Sequence, residues 1–274
     1  MHAFQRDFPA ARQESFRTCY RGTQNVLRHA AYMRMGKVLL LQHLLAKWHV
    51  SLAERRIFDY GFGAGTFLRY CPRSSRLFGV EIDPVCVREV TEMLRCRGHR
   101  HVQLQPIDPE NWRDHPLLKT TYDLVICSHV LEHLSDPDAC LRRIAECLEP
   151  DALFAGLVPV NERKIDPHHV RQVNLTMLKE WLPAAKLQLI DWVEADPWLY
   201  WLQAFFTHDS PLRHRMAQLI SLSLGATATG LGHHLWFRCS HVFGKLTCSK
   251  PTQAGFLLRP LRQGTVKLTP TADL

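Results

Sequence analysis

Apolar residues recur along this chain in two rhythms. Between 15 and 48 they keep helical spacing, Val26, Leu27, Ala30 and Met33 and then Leu40, Leu41, Leu44, Leu45 and Trp48, which predicts one or two helices. From 56 onward short apolar runs take over, at 56–60, 77–83, 101–107, 122–128 and 153–158. Runs of this length bounded by turn residues suit strands buried on both faces of a parallel sheet. Asp136 as a cap and Pro137 in the first turn open a predicted helix over 138–148. A shorter helix is predicted over 175–182, started by Asn174 or Thr176, and 187–194 alternates partly, as a sixth strand would.

The first strand-like run leads into the most informative stretch, Asp59-Tyr60-Gly61-Phe62-Gly63-Ala64-Gly65-Thr66. Glycines at 61, 63 and 65 predict a sharp turn, into a helical segment over 66–70, at which a ligand presses against bare backbone. Thr66 stands where a dinucleotide fingerprint would place its third glycine, which points away from a pyrophosphate. Glu81 follows Asp59 by 22 residues, close to the ~20-residue interval at which a βαβ unit sets a carboxylate on a ribose. The third run ends in Asp108, and the fourth ends in Ser128 and continues His129-Val130-Leu131-Glu132-His133-Leu134. In open sheets of this kind ligands sit outside the carboxyl ends of the strands.

Taken in order, these pieces resemble a class I S-adenosylmethionine-dependent methyltransferase over 57–160, distantly similar to the ubiquinone-type O-methyltransferases. The resemblance implies a Rossmann-like α/β fold with a seven-stranded, mostly parallel sheet and an antiparallel last strand. It implies S-adenosylmethionine as cofactor and S-adenosylhomocysteine as product. Asp59 with the loop Gly61, Phe62, Gly63 and Gly65 would hold the methionine portion. Glu81 would bind the ribose hydroxyls and Ile82 an adenine face. Asp108 would accept from the adenine amino group with Pro109 beside it, and Ser128 would lie under the sulfonium. Two features depart from the usual pattern: Tyr60-Gly61-Phe62 carries bulky residues, and Glu149-Pro150-Asp151 replaces a Gly-Gly turn.

Sixteen histidines make chance neighbours common, so each needs a reason. Oxygen acceptors near neutral pH often need a proton removed, and histidine is the usual agent. His129 and His133 flank Glu132 where the donor methyl is expected. On a helix these three would share a face. His129 is the more distinctive candidate base, and His133 also fits a structural role. The segment is similar to the E-x-x-E-H metal motif of ubiquinone-type and small-RNA 3′-end methyltransferases, with His129 in place of the first glutamate. With His168 or His169 as a fourth ligand, such a set would suit zinc better than magnesium. No metal is assigned, and the question stays open at this point.

Composition narrows the classes. The 274 residues carry 46% apolar and 22% charged residues, as one globular α/β domain with an elaboration would. No apolar run reaches the ~18–20 residues of a membrane span, and the first residues lack a signal-peptide core. Nine cysteines without a C-x-x-C pair suggest reduced thiols and a cytoplasmic location. The net charge of +8 sits at the ends: residues 1–50 carry eight Lys/Arg against two acids, and 238–274 six against one. Without an aromatic RNA-binding motif this charge does not favour nucleic acid. The expected partner is a small, apolar or aromatic acceptor, methylated most plausibly at oxygen. Modification of RNA or protein, and a non-catalytic binding module, are the alternatives.

The expected organisation is an N-terminal helical cap (1–50), a core (51–196), a helical aromatic-rich insertion (197–238), a last strand (239–248) centred on His241–Thr247, and an irregular basic tail (249–274). Five aromatics lie within 198–206. They suggest either a helical pair packed on the N-terminal helices or a lid over the acceptor. A membrane-surface patch is less favoured, because few Lys/Arg lie between 197 and 237.

Overall fold

A computed structural model of the chain describes residues 31–162, 168–200 and 211–261. Seven strands form one sheet: β1 (Arg56–Tyr60), β2 (Arg76–Glu81), β3 (Val102–Pro106), β4 (Tyr122–Ser128), β5 (Leu148–Pro159), β6 (Leu187–Ala195) and β7 (Gln253–Pro260). Their order is β3-β2-β1-β4-β5-β7-β6. The first five pair in parallel, and β7 runs antiparallel to both β5 and β6. The labelled helices are α1 (Tyr32–Lys47), α2 (Pro84–Cys96), α3 (Pro137–Glu146), α4 (Leu175–Trp181) and α5 (Pro211–Thr247), the last broken at Gly232.

Both faces of the sheet are buried, as the continuous apolar runs require. Phe58, Val125, Cys127, Phe154 and Phe256 face one side, where α3 and Leu178 of α4 pack. Ile57, Leu124, Ile126, Ala155 and Leu257 face the other, under Leu40, Leu41 and Leu44 of α1 and Val90 and Leu94 of α2. This division follows the two-residue period of a pleated strand. The expected caps form: Asp136 accepts from Ala139 N at 2.9 Å, and Asn174 from Met177 N at 2.9 Å.

Three expectations change. The segment after Thr66 makes a single 3-10 turn, Leu68–Tyr70, rather than a helix. Pro72 follows at once and holds the residue before it out of the helical region. The last strand is Gln253–Pro260, inside the expected tail, while 241–247 closes α5. Helical spacing places Trp236, Ser240 and Phe243 against Trp198, which stacks on Phe243 at 3.6 Å and donates to Ser240 Oγ at 2.9 Å. The helix α2 lies outside the expected elements. The expected helical positions before 31, Trp201, Phe205 and Phe206 of the insertion, and the tail beyond 261 lie outside the described residues.

The excursion that carries α5 leaves and re-enters the sheet at one point. Thr252 N donates to Ala195 O at 2.9 Å, and Thr252 Oγ1 to Asp196 O at 2.7 Å. The Asp196 side chain then anchors α1. It accepts from Tyr32 OH, which itself accepts from Trp236 Nε1 at 3.0 Å, so α1, α5 and the sheet meet in one buried cluster. At the far end of α1, Trp48 Nε1 and Lys47 Nζ reach Asp191 Oδ2 at 2.8 and 2.7 Å.

One glycine in the sheet is there for space. Gly156 of β5 faces Phe256 of β7, and a Cβ would stand 2.1 Å from the Phe256 ring. That ring is fully buried and held by Phe154 and Trp192, so it has nowhere to turn. Gly156→Val is expected to lower stability by about 3 kcal/mol, a fall in Tm on the order of 6–10 °C. An unchanged melting curve would show that the Phe256 pocket is loosely packed.

Candidate active site

The carboxyl ends of β1, β2 and β4 meet where the strand order reverses. There β1 gives way to a loop in which Gly61, Gly63 and Gly65 all take positive φ, 73°, 52° and 66°. Gly61 N donates to Val80 O at 2.9 Å, and a Cβ at 61 would lie 2.6 Å from Val130 Cγ2. Gly65 serves the turn rather than the cavity: its own Cβ would strike Val90 of α2 at 2.5 Å. The bend leaves backbone where any larger residue would fill the space.

Two acids stand behind this loop. Asp59 is buried at the end of β1, and its Oδ1 has no hydrogen-bond partner among the described residues. Burial, and then the charge of Glu81, push its carboxyl up to about 8. Glu81 Oε2 accepts from Gly63 N and Oε1 from Ile82 N, both at 2.8 Å. Burial raises its pKa although these backbone amides oppose the shift. An orphaned carboxylate oxygen, a second carboxylate and a cradle that a Cβ would fill suit a ligand with an amino group and a diol, as S-adenosylmethionine has.

A single cavity joins these groups. Asp59, Gly61, Phe62, Gly63, Glu81, Ile82, Pro109, Ser128, His129 and His133 all line it. Asp108 and Gly65 do not. Asp108 is exposed, and it accepts from Glu110 N at 2.9 Å and Asn111 Nδ2 at 3.0 Å in its own turn. The cavity also takes residues that the sequence reading missed. Arg34, Lys37, Val38 and Leu41 enter from α1, and Trp112 from the turn after β3. Apolar periodicity marked α1 as a packing helix but gave no sign that its cationic residues face a site. Burial pulls the Lys37 ammonium down to about 8. No described residue of the 197–247 insertion lines the cavity; Trp198, Leu199, Ala228 and Trp236 pack with Tyr32 and Leu39 of α1. The described part of the insertion thus packs on the helix beside the site, as the helical-pair alternative has it; Trp201, Phe205 and Phe206, on which the lid alternative also rests, lie outside the described residues.

The histidines separate. His129 sits on the turn after β4 at φ 56°, and its Nδ1 lies 3.2 Å from Glu132 Oε1. Glu132 is completely buried. Its burial opposes ionisation, but His129 and His133 outweigh that and hold its pKa below the ordinary value. Burial, then Lys37, lowers the pKa of His129. The pair is thus a glutamate anion beside a neutral imidazole. His129 Nε2 and both Glu132 carboxylate oxygens are buried with no hydrogen-bond partner among the described residues; a proton held on Nδ1, toward Glu132, would leave Nε2 its lone pair. His133 turns the other way: its Nδ1 is 3.1 Å from His168 O, and its ring meets that of His169 at 4.8 Å. The expected common face does not form, because Leu131–His133 is a 3-10 turn and His129 precedes it in a left-handed conformation. Glu132, His133 and His169 still bring one ligand atom each within 4.8 Å of one another, within reach of one cation. His169 Nδ1 also lies 2.8 Å from Glu162 Oε2.

Solved structures share this fold at low identity. The [4+2]-cyclase SpnF aligns with TM-score 0.56 and 18% identity over 81% of this chain and 80% of its own. A putative sarcosine dimethylglycine methyltransferase from Galdieria sulphuraria gives 0.55 and 17% over 81% and 84%. Coclaurine N-methyltransferase gives 0.53 and 15% over 81% and 70%. At this distance they establish the architecture, and one of them is a cyclase. No curated protein sequence matches the chain. The family profile described as a methyltransferase domain does match, over residues 29–210, a span that runs from just before α1 through β6 and takes in the whole glycine loop, Glu81 and His129. The chain therefore belongs to the methyltransferase domain family and is an S-adenosylmethionine-dependent methyltransferase of the class I fold.

Proposed function

We propose that this enzyme methylates an oxygen of a small, apolar or aromatic acceptor and that His129 removes the acceptor's proton. The observation that carries this reading is the His129–Glu132 pair. A buried carboxylate stands 3.2 Å from Nδ1 of His129, a residue that lines the ligand cavity and whose Nε2 has no hydrogen-bond partner among the described residues. That is the arrangement of an oriented general base. Val38, Leu41, Phe62, Phe67, Trp112, Val130 and Leu134 supply much of the remaining wall, which favours an apolar acceptor over a polyanion.

When bound, S-adenosylmethionine supplies a methyl group on a sulfonium, a leaving group that needs no further activation. The chain's own contribution is then alignment and proton removal. Asp59 would receive the donor's amino group, with Gly61, Phe62 and Gly63 closing the loop around the methionine portion. Glu81 Oε2 has a lone pair left for one ribose hydroxyl, and Oε1, which accepts from Ile82 N and at 3.4 Å from Asp83 N, would take the second in place of the longer contact. Ile82 and Pro109 would flank the adenine, and Ser128 would face the sulfonium. Asp108, exposed and outside the cavity lining, would have to turn toward the adenine to accept from its amino group. Holding two reactants in line can contribute ~7–11 kcal/mol to lowering the barrier. His129 would take the hydroxyl proton on Nε2 as the methyl arrives. We infer a cytoplasmic setting from the eight described cysteines, all free.

The test is transfer from methyl-labelled donor to a panel of phenols, carboxylic acids, amines and bulk RNA. Label recovered in an alkali-stable ether of an apolar hydroxyl compound is the expected result. Label in amine, RNA or protein fractions instead would replace the acceptor class.

A further inference from the structure

The outward side of α5 carries large apolar residues left exposed. Its inner side is buried through Ala217, Ser221 and Ala228 and, beyond the break at Gly232, through Trp236 and Ser240. On the opposite side Leu212, Met216 and Leu219 stand exposed, followed by Leu235, Val242 and Leu246. Leu212 is 68%, Leu219 65% and Leu246 80% exposed. Within each half these positions fall four and three, or seven and four, apart, so each half carries its own outward stripe, one on either side of the break at Gly232. Single exposed leucines are ordinary; six large exposed apolar residues grouped in two such stripes point to a contact surface.

The charge of the element says which surface. Residues 211–247 contain no Asp or Glu, against four Lys/Arg and four His. Arg215, Arg238 and Lys245 are exposed on the same outward half of the helix. Few cations lie between 197 and 237, which taken alone disfavours a membrane surface. The helix in fact runs to Thr247 and gains Arg238 and Lys245. No described helix is long and apolar enough to cross a bilayer, so a lipid contact here lies in the plane of the surface.

We propose that α5 docks the enzyme on an anionic lipid surface, its apolar stripes in the acyl boundary and its cations among the headgroups. A second copy of the chain would also cover the apolar stripes. It would, however, set one acid-free helix against another and repel, whereas an anionic headgroup layer complements both parts. The docked helix rests on α1, the helix that carries Lys37, Val38 and Leu41 into the cavity. The inference does not depend on which atom is methylated.

The experiment is co-sedimentation of the full chain with vesicles of phosphatidylcholine alone and of phosphatidylcholine mixed with phosphatidylglycerol. Binding to the mixed vesicles is expected to be at least roughly tenfold tighter and to weaken with salt. The double variant Leu219→Ser/Leu235→Ser is expected to lose roughly tenfold or more. Arg238→Gln and Lys245→Gln should each cost roughly fivefold. All variants should keep the wild-type Tm and donor affinity. Wild-type protein that binds donor but ignores the anionic vesicles would overturn the proposal. So would vesicle binding unchanged in the leucine variant, or ultracentrifugation showing that the stripes hold a dimer and no lipid.

Discussion

Replacing His129 with asparagine is expected to lower kcat by roughly two to four orders of magnitude while leaving S-adenosylmethionine affinity unchanged. Asparagine suits the test because His129 lies at φ 56°, in the left-handed region that asparagine tolerates better than most residues. The backbone therefore keeps its place while the base is lost. The pH profile adds a second signature. The working form of a base is the unprotonated one, and burial together with Lys37 sets the His129 pKa below its ordinary 6.5. In the wild type kcat/KM should rise with pH through that lowered value and be flat across neutrality. The asparagine variant should lose the acid limb and not merely sit lower along the same curve. A variant that turns over at the wild-type rate would show that the acceptor needs no base, as a carboxylate would not, and would remove His129 from the chemistry.

The second large effect is expected at Glu81. Its alanine variant should bind S-adenosylmethionine roughly 2–3 kcal/mol more weakly, about 30- to 150-fold in Kd. Two charge-assisted hydrogen bonds to the ribose would go, and Gly63 N and Ile82 N would lose the acceptor that now shapes the loop. Part of the loss is offset because the buried carboxylate is itself raised in pKa and so costs something to keep ionised. Asp108→Ala is the internal contrast. Asp108 is exposed and occupied within its own turn, so calorimetry should find its donor affinity close to wild type. Equal losses in both variants would mean that the Asp108 turn rearranges onto the adenine. No loss at Glu81 would move the ribose elsewhere.

The parts of the fold that could be read in advance are those where one physical constraint dominates. A strand buried on both faces must be apolar throughout, so β1, β2, β4 and β5 stood out. A turn that excludes side chains must be glycine, so Gly61 and Gly63 did as well. β7 was hidden by the opposite circumstance. A Cβ on Gly255 would stand 3.2 Å from Leu157 and 3.3 Å from Leu40, and Pro260 ends the strand, so residues that usually punctuate loops sit in a largely buried strand. His241–Thr247 carries Val242 and Phe243 and reads as strand by propensity. In the fold Phe243 stacks on the Trp198 indole from a helix, and that is a tertiary contact no local window contains. In the site, the strand-end acids were legible because their spacing from the glycine loop is set by the βαβ unit. Lys37 and Trp112 were not. Each comes from an element whose direction is decided by packing, and a lysine in a mostly apolar helix looks the same whether it faces water or a cavity.

The hydrogen bonds between Ala195, Asp196 and Thr252 have an evolutionary reading. An excursion tied off at its neck can be lengthened, trimmed or exchanged wholesale without shifting the pairing of β6 with β7. Descendants of a common ancestor could thus swap this appendage like a tool on a fixed handle, and with it where in the cell the catalyst works. The methyl-transfer machinery itself would be inherited intact.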